Sequence, residues 1–118
     1  MALIDKSEIR EVTGISQVER KSIMNFLQGA VYCWCKNRKN EWFSMWDLMG
    51  GDNYYWDGTP LLVLYTKHEN KGKDSEQAVK DAGKDSGWLL KKTVHEDIRY
   101  FESKKEELTR KYRWVDRK

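Results

Sequence analysis

The chain has 118 residues, of which 35% are charged and 13% aromatic, with two cysteines, one proline and a formal net charge of +3. That length fits one domain able to bury a core. Two cysteines are too few for a disulfide scaffold, and no apolar run approaches the roughly eighteen residues that span a bilayer.

The start, MALIDKSEIREV, lacks a basic region followed by an apolar run. No secretory signal is therefore expected, and the reading is cytoplasmic. The charge is unevenly placed. Residues 1–70 set eight Lys/Arg against nine Asp/Glu, whereas residues 71–118 set fourteen against ten. The C-terminal part is thus the better partner for a polyanion.

Residues 5–12 are predicted to form a short first helix. Asp5 is its N-cap, Glu8 follows three residues on, and Gly14 ends it. Ser16 and Glu19 form a capping box for a second helix over 16–37, whose apolar face is Ile23, Leu27, Ala30, Val31 and Trp34. Asn40 is expected to cap a third helix over 41–49, striped by Trp42, Met45, Trp46 and Met49, with Gly50 at its C-terminal turn. Trp42 and Trp46 are expected to be largely buried, because aromatic stripes usually belong to a core.

Asp52 to Gly58 reads as a loop. Thr59-Pro60 then suits an N-cap and first helical position, so LLVLY is read as helix in preference to strand. Asp74 caps the next helix, which Gly83 is expected to stop, and a separate helix follows over 86–96. The β-rich ends IRYF and YRWV predict an antiparallel ribbon of 99–103 with 109–115.

The expected fold is therefore mainly helical α+β, with four to six helices and a small C-terminal β-hairpin. It is a single domain over 1–118. Residues 1–72 supply a helical, aromatic-rich part, and residues 73–118 supply a helix-turn-helix plus ribbon.

The order helix, Gly83 turn, helix and ribbon, carried by AVKDAGKDSGWLLKK with RYF and YRW, resembles the C-terminal part of a winged-helix domain. That resemblance implies DNA binding, with helix 86–96 for recognition and the ribbon as wing. In general character the chain is also similar to small proteins carried on bacterial mobile elements.

The residues of helix 86–96 give a physical reading of their own. Trp88, Lys91, Lys92 and His95 fall at i, i+3, i+4 and i+7 and share one side. Cations with an aromatic ring suit a phosphate-rich partner. Arg99, Lys104, Lys105, Arg110 and Arg113 extend the same basic region. Two alternatives accompany this one: a protein-interaction or self-association surface, and a small-ligand pocket around Trp42, Trp46, Tyr54 and Tyr55.

Cys33-Trp34-Cys35 is not read as a metal motif. Helical residues two apart point about 200° from one another, and neither His68 nor His95 has metal-finger spacing. No phosphate-binding glycine loop, zinc-protease helix or nucleophile elbow occurs. The expectation is a non-enzymatic binding module with no cofactor.

Overall fold

The computed structural model describes residues 8–49, 56–107 and 109–115. Among them are four helices, α1 (Gln17–Asn37), α2 (Met45–Leu48), α3 (Leu62–Glu69) and α4 (Ser75–Glu96). A two-stranded antiparallel sheet of β1 (Tyr100–Glu106) and β2 (Thr109–Val115) follows them. The mainly helical α+β class with a C-terminal hairpin is therefore correct.

Helix α1 starts where the capping box requires. Ser16 Oγ accepts from the Glu19 amide at 3.0 Å, and the Glu19 carboxylate accepts from the Ser16 amide at 2.8 Å. Ile23, Leu27, Val31 and Cys35 recur every four residues along its buried stripe. Thr59 Oγ1 accepts from the Leu61 amide at 3.2 Å, but α3 opens two residues later than expected. Leu61, not Thr59, is the N-cap, without a side-chain cap bond, and 62–65 is helical rather than extended. Asp74 caps α4 by accepting from the Gln77 amide at 2.8 Å.

Three further expectations fail, each because tertiary contacts override local preference. The first helix over 5–12 is absent where the chain is described. Residues 8–13 are irregular, and the carbonyls of Glu8, Val12 and Thr13 accept from Lys91, Arg20 and Lys67 instead of from a helix. Asp5 lies outside the described residues.

The third helix begins at Met45, not residue 41. Phe43 makes two backbone hydrogen bonds of 2.8 Å with Tyr112, an isolated antiparallel bridge beside β2 that keeps it out of the helix. Ser44, not Asn40, is the N-cap. Asn40 adopts a left-handed φ of 72° in the turn after α1, and Gly50 lies outside the described residues.

Gly83 does not stop the helix before it. α4 runs unbroken for 22 residues through Gly83 and Gly87. A helical glycine costs only about 1 kcal/mol relative to alanine. Burial of Ala82, Ser86, Leu89 and Leu90 on either side outweighs that cost. The helix-turn-helix expected in 73–118 is consequently one long helix.

Helix α4 is the axis of the molecule. α3 is tied to it through His68–Asp85 and α1 through Thr93–Met24. At its C-terminal end Asp97 turns the chain into the ribbon. Its carboxylate accepts from Gln28 at 2.7 Å, from the Arg99 amide at 2.8 Å and from the Arg99 guanidinium at 2.8 and 2.9 Å.

The ribbon seals the far side of the core with Phe101 and Tyr112. The Phe43 ring lies 6.1 and 5.9 Å from those two rings. The hairpin is longer than expected, since β1 extends to Glu106. Its turn is made without glycine by Glu107, at φ 58°.

Candidate nucleic-acid interface

The expected stripe on α4 exists, but it is covered. Lys91 is buried at 5% exposure, its Nζ donating to the Glu8 carbonyl at 2.5 Å and lying 5.4 Å from the Trp88 ring centre. Arg10 stacks on the same half-buried ring at 5.2 Å. Lys92 Nζ is 3.9 Å from the Glu11 carboxylate. His95 is half-buried. Residues 8–13 thus lie across the face that helical periodicity would present to a partner. Leu89 and Thr93 are buried along with Leu90 and Val94.

The ribbon is the open basic element. Its register sets Lys104 opposite Lys111 and Lys105 opposite Arg110, two successive cation–cation pairs. Like charges directly opposite one another destabilise a sheet. The first pair is moderated by Glu106, which contacts Lys104 at 3.1 Å and Lys111 at 3.0 Å. These hydrogen bonds, first from Lys111 and then from Lys104, lower the Glu106 pKa, and Glu106 in turn raises that of Lys111.

The second pair is arranged differently. Arg110 donates to Ser103 Oγ at 3.2 Å, and Lys105 is exposed. Strand alternation puts Lys105 and Arg110 on the same side as Phe101 and Tyr112. Because Lys105 is nonetheless exposed, the ribbon tip projects past the packed body.

The outer face of the ribbon continues into an aromatic patch. Phe43 pairs with Tyr112, so the neighbouring Trp42 lies beside Arg113. Arg113 and Lys104 sit 4.7 and 4.3 Å from the Trp42 ring centre. Arg113 also pairs with Glu102.

Nearer the body, Arg99 lies 5.3 Å from the Tyr32 ring and 5.7 Å from Trp114, Lys39 lies 4.8 Å from Trp114, and Arg38 lies 4.4 Å from Trp34. Lys111, Lys39, Arg38 and Trp114 were not singled out from sequence. Lys111 becomes visible once the hairpin register is known, because it then faces Lys104.

Trp42 is half-buried, but Trp46 is 41% exposed. The expectation that both are largely buried thus fails for Trp46. The stripe that motivated it needed a helix from residue 41, whereas α2 is one turn long and turns only Met45 fully inward. Tyr54 and Tyr55 lie outside the described residues. An open groove of about 440 Å³ beside α2 is lined by Ala30, Cys33, Trp34, Asn37, Arg38, Asp47 and Leu48, and not by Trp42 or Trp46.

Cys33 is exposed on that groove, whereas Cys35 faces the core, where burial pushes its thiol pKa up to about 11. Among the described residues no helix is long and apolar enough to cross a membrane. Compared with protein-family models, curated proteins and solved structures, the chain matches none.

Proposed function

We propose that the protein is a non-enzymatic nucleic-acid-binding module that contacts duplex DNA with its C-terminal ribbon. The observation that carries this reading is the pair of cation–cation matches, Lys104 with Lys111 and Lys105 with Arg110. A sheet gains nothing by facing cations together. The two pairs point to opposite faces of the ribbon, and a polyanion against either face turns that pair's repulsion into attraction. A two-stranded β-ribbon also fits the width of the DNA major groove. Seven residues per strand give an element roughly 20 Å long. The adjoining Trp42 offers a ring for stacking beside Lys104 and Arg113.

A salt titration of a labelled mixed-sequence duplex tests the reading. Three to four phosphate contacts give a log–log slope of roughly −3 to −4. Lys105→Ala with Arg110→Ala should reduce that slope by about two. An absence of binding at low salt, or a slope indifferent to both residues, refutes it. The protein-interaction reading then leads. It is favoured by Tyr32, 47% exposed, and Ile98, 93% exposed, which flank Arg99.

A further inference from the structure

We infer that residues 8–13 are a built-in competitor, occupying a second anion-binding channel that the nucleic-acid backbone takes when this strap leaves. The inference rests on the nucleic-acid reading above and adds its regulation. Three cations from three different helices donate to carbonyls of the strap. Lys91 of α4 reaches Glu8 at 2.5 Å, Arg20 of α1 reaches Val12 at 2.6 Å, and Lys67 of α3 reaches Thr13 at 2.6 Å. The Glu11 carboxylate adds contacts of 3.2 Å to Arg20 and 3.9 Å to Lys92. Arg10 covers Trp88. Cations from separate elements thus converge on one extended segment of acceptors, as they would on a run of phosphate oxygens.

The strap satisfies them incompletely. Arg20 Nε and Nη1 are buried without a hydrogen bond, and Nη1 has only the ion-pair proximity of Glu11. A neutral carbonyl is a weaker acceptor for a cation than an ionised oxygen. Phosphate therefore gains more from these side chains than the strap does. Val12, 3% exposed, anchors the strap in the core, and Gly14, at φ 81°, sets the bend that leads from it into α1. Asp85, 2.8 Å from Lys67 Nζ, holds part of that lysine's charge. Arg20, Lys91 and Lys92 are accordingly the groups that phosphate would recruit.

The test uses the full chain carrying Glu11→Gln and Val12→Ser, which weakens the strap without touching the channel. Its folding is first confirmed by a cooperative melt. Its duplex affinity at low salt should rise about tenfold, and its salt slope should steepen by about two to three. Adding Lys91→Gln and Lys92→Gln should cancel most of that gain. In the unmodified protein, a saturating duplex should speed hydrogen exchange at the amides of residues 9–13, an arm that needs no folded variant.

An unchanged affinity and slope in a folded variant, together with unchanged exchange in the unmodified protein, overturns the inference. So does a variant that dimerises by exchanging straps without any gain for DNA, because the channel then belongs to peptide. The two proposals fail separately. Ribbon-dependent binding with no gain on loosening removes the strap proposal alone. Binding that appears only on loosening, and is indifferent to Lys105 and Arg110, removes the ribbon reading alone.

Discussion

Phe43→Ala and Trp46→Ala separate the core from the surface within four residues of chain. Phe43 is 0% exposed, and its ring meets Trp34 at 5.7 Å, Tyr112 at 5.9 Å and Phe101 at 6.1 Å. Truncating a buried phenylalanine to alanine costs about 3–5 kcal/mol, because the transfer term and the cavity term add. Loss of three ring contacts places this site near the upper half of that range. A domain of this size has roughly 5–15 kcal/mol of stability in all. With a urea m-value of about 2 kcal/mol/M, the unfolding midpoint should fall by about 2 M. Trp46, 41% exposed, should lose about 1 kcal/mol or less. Urea melts followed by far-ultraviolet circular dichroism read both variants. Equal losses, or a larger loss for Trp46→Ala, would refute the assignment of Phe43 as the residue that joins ribbon to helices.

Two further outcomes follow from the charges. Lys105→Glu puts opposite charges across the ribbon at Arg110, so it should stabilise the fold by a few tenths to about 1 kcal/mol at low salt, less at high salt, while weakening DNA binding; destabilisation would contradict the register. Asp81 is held down to about 2 from 3.8, mainly by the hydrogen bond from Lys73 and next by that from Gln77. Its folded value is depressed, so its contribution to stability is present above about pH 4 and is lost as pH falls towards 2. Lys73→Ala should move the Asp81 titration, followed by carbon-13 NMR, back up towards its ordinary value.

Local chemistry made most of the fold legible. Ser16 with Glu19, and Asp74 with Gln77, announce helix starts because a cap is a contact between near neighbours. The hairpin was legible from β-rich ends around a charged centre, even though its turn uses Glu107 in place of glycine. What failed depended on partners remote in sequence. Nothing within residues 40–44 shows that Phe43 will pair with Tyr112. Gly83 looks like a stop only until the buried neighbours that carry α4 through it are known. Residues 8–13 have a helical pattern of caps and charges, yet their carbonyls are taken by side chains from three helices.

The candidate site shows the same division more sharply. Helical spacing correctly gathers Trp88, Lys91 and Lys92 at one place, but it specifies only which side chains share a face. The strap on that face comes from eighty residues earlier in the chain, and no periodicity within α4 can register it. For the ribbon the missing knowledge was register. Lys104, Lys105 and Arg110 read from sequence as part of a basic region with no pairing assigned, and Lys111 does not stand out. Pairing converts them into two facing pairs, and Glu106 is shared between both members of the first. A one-residue slip would leave one facing cation pair in place of two. The facing pairs therefore follow from the hydrogen-bonded register and not from composition. Phe101 and Tyr112, both turned into the core, hold that register in place.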